Sequence, residues 1–372
     1  MNSHEKFTLK DYVFVIAFTL IFVTGVIGNS LVIYIFKHRQ RRITTPMELI
    51  IIYLAVTDLI ASVFNSLLYI YLHITSFSHW DFGPFMCVLL PSITTVSVSM
   101  SLGLIILITI ERCRVLSNPF DGMFDKKHVH YMVAFVFIIS IANEIPYIKD
   151  LHITHRGVAT YKCVKSNLAA SYTQKKGIEF KTFPESCNKN KTLQSFEHTL
   201  STYDETTLFS CVLQSCHEVD KCMPRSTQEY MKGRLITLVI RDVLFISVFT
   251  VCNLFIYQAL KGDDEREKIL KQSGINHTRI NPTKMCIMIL ALAIVFAVLV
   301  LPKDIYHIVY LARLLNKDHS ISGEKAVDIN SALKLLQSFN CVANVFIYAR
   351  LHGSFRKSLN EVFTTIISST DK

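Results

Sequence analysis

The sequence predicts an all-α membrane protein: a seven-transmembrane helix bundle with a cytoplasmic amphipathic helix eight and a long second extracellular loop. Three observations lead to this fold class. Of the 372 residues, 51% are hydrophobic and only 18% are charged, whereas a typical soluble domain carries about 25% charged residues. Seven apolar segments are each long enough to cross the hydrocarbon core, which takes roughly 20 residues. Lysine and arginine are concentrated in particular loops between those segments.

Each of the seven segments is expected to be a helix, because a backbone within lipid must satisfy its own hydrogen bonds. The predicted spans are Tyr12–Phe36, Pro46–Leu72, Pro84–Leu116, Lys127–Ile148, Gly233–Leu260, Pro282–Leu311 and Lys325–Tyr348. The fourth span carries Asn143, Glu144 and Pro146 near its outer end. The bundle therefore covers residues 12–350.

Loop charges predict the orientation of the bundle. Short cytoplasmic loops are rich in lysine and arginine, and two loops have such residues: Lys37, Arg39, Arg41 and Arg42, then Lys261, Arg266, Lys268, Lys271 and Arg279. Residues 73–83 contain neither residue type. We therefore expect residues 1–11 outside a plasma membrane and residues 351–372 inside the cell. These flanks and the long outer loop hold much of the net charge of +10, so nucleic acid is not an expected partner.

A polar segment of residues 149–232 separates the fourth and fifth spans. With Cys87, its five cysteines make six on the predicted outer side; the five are Cys163, Cys187, Cys211, Cys216 and Cys222. An even count suits an oxidising compartment, where up to three disulfides could form. The segment is either a disordered insertion with one structural disulfide or a stapled cap over the bundle. Asn190 begins an Asn-Lys-Thr glycosylation sequon.

Several short motifs occur in a fixed order along the spans. Glu111 and Arg112 end the third span, 24 and 25 residues after Cys87, and Pro119 follows seven residues later. The other motifs are Gly28-Asn29, Leu54-Ala55-Val56-Thr57-Asp58, Trp80-Asp81-Phe82-Gly83 and Asn344-Val345-Phe346-Ile347-Tyr348. Together they resemble rhodopsin-like (class A) G-protein-coupled receptors, of a divergent and peptide-receptor-like type. The resemblance also implies a disulfide between Cys87 and one cysteine of the long loop.

The resemblance implies an activation switch at the inner end of the bundle. Its residues would be Glu111, Arg112, Tyr257, Phe296, Pro302, Asn344 and Tyr348. Arg112 would contact Glu111 at rest, and Pro302, which kinks the sixth span, would let that helix swing outward to admit a heterotrimeric G protein. The alternative is that Arg112 only extends its charged head to the membrane surface. Four departures imply a variant route of activation: Cys113, Phe249, Val300 and Val345.

A polar core is expected in the middle of the membrane. Asp58 must pair, become protonated or bind a cation there. Its position, with those of Asn29, Ser101, Asn340 and Asn344, matches the family's sodium pocket. The resemblance thus implies an allosteric sodium ion, although no cofactor is required. The alternative is a water-filled hydrogen-bond network that fixes packing without an ion.

Candidate ligand residues lie near the outer third of the bundle. They are Thr94, Arg241, Asp242, Lys303, Asp304, His307, Lys334 and Ser338. Thr94 stands where amine receptors carry an aspartate, and Ser338 stands where opsins carry the retinal lysine, so the resemblance disfavours both ligand classes. Buried charges are costly unless they are paired or face water. These charged side chains either form internal salt bridges or bind a ligand that carries both positive and negative charges. A peptide is the favoured ligand.

The segment after the seventh span has an apolar stripe. Leu351, Phe355, Leu359 and Val362 recur every three or four residues, which predicts an amphipathic helix on the lipid of the inner leaflet. Hydroxyl residues that phosphorylation could prepare for arrestin follow: Thr364, Thr365, Ser368, Ser369 and Thr370.

The predicted function is that of a plasma-membrane receptor that activates heterotrimeric G proteins. The chain has no phosphate-binding loop, His-Glu-x-x-His motif or nucleophile elbow, so an enzyme is not expected. One alternative is a receptor-like decoy or scaffold that does not couple, because several switch residues are replaced. Another is a polytopic transporter, which the lack of an internal repeat disfavours.

Overall fold

A computed structural model of the chain describes residues 8–39, 45–77, 79–117, 125–165, 209–224, 227–272, 282–316 and 324–370. The helices are α1 (Leu9–Tyr34), α2 (Pro46–Ile74), α3 (Gly83–Ser117), α4 (Lys126–Asp150), α5 (Gln228–Gln272), α6 (Pro282–Leu315), α7 (Glu324–Ser338), α8 (Asn340–Leu351) and α9 (Gly353–Thr370). A π-helical turn, Ile35–Arg39, extends α1. The strands are β1 (Leu151–Lys165) and β2 (Phe209–Pro224).

Capping residues explain why the first two helices begin where they do. The Thr8 hydroxyl accepts a hydrogen bond from the Asp11 N–H, and the Asp11 carboxylate accepts one from the Thr8 N–H. Thr45 and Glu48 form the same reciprocal pair at the start of α2. Such a capping box satisfies two backbone donors that a helix start leaves free. The first helix therefore begins at Leu9 rather than at the predicted Tyr12.

Six described helices, α1 to α6, are long and apolar enough to cross a membrane. The seventh predicted span is not one continuous helix, because it divides at Phe339 into α7 and α8, of 15 and 12 residues. The Ser338 hydroxyl donates to the Lys334 carbonyl oxygen at 2.7 Å, and such back-bonding bends helices. α8 packs against α1, α2 and α6, so the two segments together complete the expected bundle.

Helix α3 is the centre of the bundle, since it contacts α2, α4, α5 and α6. The main apolar core lies in the inner half and includes Phe36, Ile51, Ile105, Met288 and Phe296. Other large apolar side chains face outward on α4, α6 and α8, where Phe135, Val298 and Phe346 are more than half exposed. An apolar outer surface of this kind suits lipid.

The long outer loop departs from the all-α prediction. β1 and β2 pair antiparallel, from Leu151 opposite Pro224 to Lys165 opposite Phe209, and this register sets Cys163 opposite Cys211. β1 includes several β-branched residues, such as Ile153, Val158 and Thr160, and this residue type favours strands. The loop also starts and ends inside the predicted 149–232, because α4 extends to Asp150 and α5 begins at Gln228.

A disulfide ties this sheet to α3. Cys87 pairs with Cys222, with the two Cα atoms 5.5 Å apart, so the expected bond between Cys87 and a loop cysteine is confirmed and its partner identified. The Trp80 N–H donates to the Asp220 carbonyl oxygen at 2.8 Å, which fixes β2 to the first outer loop as well. One disulfide is common to both alternatives for this loop, and residues 166–208, on which the alternatives differ, lie outside the described part of the chain.

The amphipathic segment after the bundle forms α9. Phe355 is buried and stacks on Phe36 with ring centroids 5.6 Å apart. The Phe355 N–H donates to His352 Nδ1 at 3.3 Å, so the neutral imidazole of His352 caps the helix. Burial lowers the pKa of His352 and the nearby Arg112 adds to this effect, whereas the Glu48 carboxylate opposes it.

Some predicted features lie outside the described residues. These are Pro119, Cys187, the sequon at Asn190, the loop arginines Arg41, Arg42 and Arg279, and most of residues 1–11. The helix position of Tyr257 is described, but its side chain is not.

Candidate functional site

A cavity of about 290 Å³ opens at the outer end of the bundle, between α2 to α7 and beneath β2. Six of the eight predicted ligand residues line it: Thr94, Arg241, Lys303, Asp304, His307 and Lys334. The other two lie beside it. Asp242 accepts a hydrogen bond from Arg241 Nε at 2.9 Å, and the Ser338 hydroxyl accepts one from Asn65 Nδ2. The sequence therefore located this cavity, although it did not identify every lining residue.

Two helices meet at the buried guanidinium of Arg241. One of its nitrogens lies 2.8 Å from Asp242 Oδ1 in the same helix and 2.5 Å from Asp304 Oδ2 in α6. All three side chains are almost fully enclosed. For these residues the internal salt-bridge alternative is confirmed, and the Arg241–Asp304 pair joins α5 to α6.

The structure contains a second buried ion pair that was not predicted from the sequence. Glu144 in α4 lies 2.6 Å from Arg234 in α5. Its other oxygen accepts hydrogen bonds from Ser99 and Asn143, both at 3.0 Å, and the Arg234 guanidinium lies over the Tyr147 ring, 5.5 Å from its centroid. From the sequence, Glu144 was noted only as a polar residue near the outer end of the fourth span. The signal was present, because a carboxylate within a membrane helix needs a partner.

The two lysines of the cavity have no such partner. Lys334 is 5% exposed, its ammonium donates to Gln337 Oε1 at 2.8 Å, and it lies over the Tyr69 ring, 5.7 Å from the centroid. Lys303 lines the same cavity, and its side chain is half-buried. Among the described residues no carboxylate lies within ion-pairing distance of either lysine.

The outer wall of the cavity comes from the loops. Cys222 and Pro224 of β2 line it, together with Trp80 of the first outer loop. Trp80 is buried, and its indole N–H donates to the Gly83 carbonyl oxygen at 2.9 Å. Gly83 has φ +71°, a conformation that glycine adopts without strain. The disulfide therefore holds the cap where it forms part of the cavity.

Below the cavity, Asp58 in α2 is hydrogen-bonded to two other helices. Its two carboxylate oxygens accept hydrogen bonds from the Ser101 hydroxyl at 3.0 Å and from Asn344 Nδ2 at 2.7 Å. Asn29 Nδ2 in α1 donates to the Cys341 carbonyl oxygen of α8 at 2.9 Å, and Asn340, the residue before Cys341, is buried. The structure thus brings α2, α3 and α8 together around one carboxylate, and Asn29 links α1 to α8.

This core contains buried amide oxygens that accept no hydrogen bond from the described atoms. The amide oxygens of Asn29, Asn340 and Asn344 are buried and have no hydrogen-bond partner among the described atoms. Buried oxygens of this kind are normally matched by a donor or a cation. A hard cation or ordered water would satisfy them, so the residues fit both alternatives raised by the sequence.

The inner end of α3 carries the predicted switch pair. Arg112 Nε lies 3.2 Å from Glu111 Oε2, and Glu111 is completely buried. Arg112 also reaches across to α2, where its Nε lies 2.8 Å from Met47 Sδ. Since Glu111 and Arg112 are neighbours in one helix, their ion pair does not join two helices.

The other switch residues lie at different depths in the bundle, and Pro302 precedes the cavity residue Lys303. Phe296 is buried against Phe245, with ring centroids 5.5 Å apart, and Pro302 lies within α6. Tyr348 is fully buried beside Phe355, and its hydroxyl has no partner among the described atoms.

These features define a class of multi-pass membrane protein: a helical bundle with a polar outer cavity, a buried carboxylate core and an arginine at the inner end. The family model described as 7 transmembrane receptor (rhodopsin family) matches residues 28–179. The resemblance to rhodopsin-like (class A) G-protein-coupled receptors is thereby confirmed over this part of the chain.

Individual relatives agree with this class. The chain is 33% identical over 144 residues to the neuropeptide Y receptor type 6 of Mus musculus, covering 38% of this chain and 37% of that protein. It is 29% identical over 140 residues to the putative neuropeptide Y receptor type 6 of Homo sapiens, covering 37% and 47%. It is 31% identical over 138 residues to the GQ-coupled rhodopsin of Mizuhopecten yessoensis, covering 36% and 27%. The chain therefore matches less than half the length of each relative, and these relatives are receptors rather than enzymes.

Proposed function

We propose that this chain is a plasma-membrane receptor that binds an extracellular peptide and activates heterotrimeric G proteins. The observation that carries the proposal is the course of α3. This 35-residue helix, about 50 Å long at 1.5 Å per residue, contributes Thr94 to the cavity, Ser101 to the Asp58 core and the Glu111–Arg112 pair to the inner end. One rigid element thus connects a ligand site to a switch on the opposite face.

The position of the disulfide supports the orientation. Cys87 and Cys222 lie at the same end of the bundle as the cavity, and disulfides persist in oxidising compartments outside the cytosol. We infer that this end is extracellular, that the amino terminus lies outside, and that α9 lies on lipid at the inner face.

The peptide class of ligand rests on chemistry and on relatives. The cavity carries both cationic and anionic groups beneath a polar cap, which suits a ligand with charges and hydrogen-bonding groups. Two of the relatives are named neuropeptide Y receptors. A peptide could insert one end into a cavity of this size, near the lower limit of ordinary ligand pockets at about 300 Å³.

We further propose that Asp58, Ser101, Asn340 and Asn344, with Asn29 behind them, hold an allosteric sodium ion. Bound sodium would keep the helices around Asp58 together and so favour the resting form. The amide oxygens without partners support this proposal, because oxygen ligands suit a hard cation. Arrestin would bind after phosphorylation of the terminal hydroxyl residues.

The test is a panel of G-protein subtype sensors in cells that express the full chain, read without ligand and then with peptide libraries. Mock-transfected cells are the control, and tags at both ends report the orientation. The proposal predicts a subtype-selective response, with the amino-terminal tag accessible outside. Surface expression with no sensor response would favour the decoy alternative, and solute flux that depends on Asp58 would favour a transporter.

A further inference from the structure

The charges that line the outer cavity do not balance. Four are cationic and two are anionic: Arg234, Arg241, Lys303 and Lys334 against Glu144 and Asp304. Asp242, beside the cavity, adds one more carboxylate. The group is therefore net positive by at least one charge, in an enclosed site where uncompensated charge is costly.

Each of the three carboxylates in this group forms an ion pair with one of the two arginines. Glu144 lies 2.6 Å from Arg234, whereas Asp242 and Asp304 both contact Arg241. A guanidinium forms planar, directional bonds with carboxylates, so these pairs form fixed walls. The Arg234–Glu144 pair is neutral, whereas Arg241 with its two carboxylates carries one negative charge. The two lysines carry two positive charges, so they are the source of the single positive charge in excess.

Each lysine is available to the interior of the cavity. Lys334 has one neutral acceptor, Gln337, and the face of one aromatic ring, Tyr69, although an ammonium has three donors. Lys303 lines the cavity one helix away. An amide oxygen and a ring face offset only part of a buried positive charge, so the site is complementary to an anion.

We propose that Lys303 and Lys334 form a subsite for a carboxylate at the end of the ligand. This inference rests on the proposed function and specifies the ligand further: a peptide whose free carboxyl terminus, rather than an amide, enters the cavity. The volume of about 290 Å³ fits a terminal residue and not a whole peptide. The aromatic walls at Tyr69 and Tyr147 suit an apolar side chain on that residue.

The test uses purified full-length chain and two probes that differ in one group, N-acetyl-phenylalanine and its carboxamide. Binding is measured by thermal shift. We expect the acid to bind about tenfold more tightly than the amide, the difference that one charged hydrogen bond supplies. Lys303→Gln and Lys334→Gln should each reduce that preference, and the double variant should remove it.

Control variants separate charge from folding. Lys149→Gln removes a lysine on the same outer end that is 71% exposed, and it should leave the preference unchanged. Lys334→Arg keeps the charge and should retain most of the preference. If Lys334→Gln fails to fold, the acid-over-amide preference is measured with Lys303→Gln and Lys334→Met instead.

Several results would overturn the subsite. Equal binding of acid and amide by the wild-type chain would do so, as would failure of both probes to bind or a preference that survives the double substitution. Retinal attached covalently to Lys334 after borohydride reduction would also exclude it. A G-protein response in the sensor panel together with any of these results would leave the receptor function intact and remove only the carboxylate assignment.

Discussion

The outer and inner halves of the bundle use ion pairs in different ways. In the outer half, Glu144 pairs with Arg234 across α4 and α5, and Arg241 pairs with Asp304 across α5 and α6. In the inner half, Glu111 and Arg112 pair within α3. Separation of helices would break the outer pairs and leave the inner pair unbroken. The outer half is thus built to stay closed around the cavity, while the inner half is held together mainly by apolar packing.

This difference explains how one bundle can bind at one end and open at the other. Movement of α6 at its inner end costs apolar contacts around Phe296 and Met288 but no buried ion pair among the described residues. The same movement at the outer end would leave Arg241 and Asp304 unpaired, which is strongly destabilising. A pivot near Pro302, two residues before Asp304, is the expected result.

The largest expected effect is on the outer pair. Glu144→Gln leaves Arg234 buried without a counter-charge, and we expect a loss of about 3–5 kcal/mol of stability, measured as a lower melting temperature of the solubilised chain. Glu229→Gln is the matched control, since Glu229 and Lys149 join the same two helices but are 90% and 71% exposed. Equal effects of the two substitutions would contradict the structural role of the buried pair.

The second largest loss of stability is expected when the disulfide is removed. Cys87→Ser releases the link to Cys222 across 135 residues, and removal of a native disulfide costs about 2–5 kcal/mol. We expect lower surface expression and faster proteolysis of the β1–β2 sheet. Cys222→Ser should lower surface expression to the same extent as Cys87→Ser, and the double variant should lower it no further. Cys252→Ala, at a free buried thiol, serves as the control, and normal surface levels of Cys87→Ser would count against the cap.

A smaller effect is expected at the middle of the bundle, between the two halves. Asp58→Asn removes the charge that would hold sodium while it keeps the shape of the side chain. We expect the sodium dependence of thermal stability to disappear, with potassium as the ionic-strength control. Sodium dependence that persists in this variant would place the ion elsewhere, and its absence from the wild-type chain would favour the water network.

The smallest effect concerns α9, next to the inner half. Since the folded pKa of His352 is lowered, the cap at Phe355 is intact above the ordinary histidine pKa of about 6.5 and weakens as the pH falls below it. The hydrogen-exchange protection factor of the first turn of α9, which corrects the exchange rate for the intrinsic pH dependence of amide exchange, should therefore fall between about pH 7 and about pH 5.5. His352→Asn, which keeps an acceptor that does not titrate, should abolish this pH dependence; an unchanged profile would show that His352 is not the cause.

The sequence predicted more of the inner half and core than of the outer half. Asp58, Ser101, Asn344 and the Glu111–Arg112 pair occur at characteristic spacings on regular helices, so position along the chain determines which side chains meet. The pairing of Glu144 with Arg234 depends on the rotation of α4 and α5 about their axes, which composition does not fix. The choice of Cys222 and the strands β1 and β2 depend on the folding of a long polar loop. The break at Phe339 was also unforeseen, because the motif that follows has Val345 where a proline would have marked a kink.

The most direct test of the central claim is ligand-independent G-protein activation by Glu111→Gln, compared with wild type and Arg112→Ala at equal surface expression. Glu111→Gln removes the only carboxylate paired with Arg112 among the described residues, so we predict basal activation several-fold above wild type with the same G-protein subtype. Arg112→Ala should give none, and Arg114→Ala, at an exposed arginine of the same helix, should resemble wild type. Full signalling by Arg112→Ala, or no change in basal activity with Glu111→Gln, would contradict a switch at the inner end of α3.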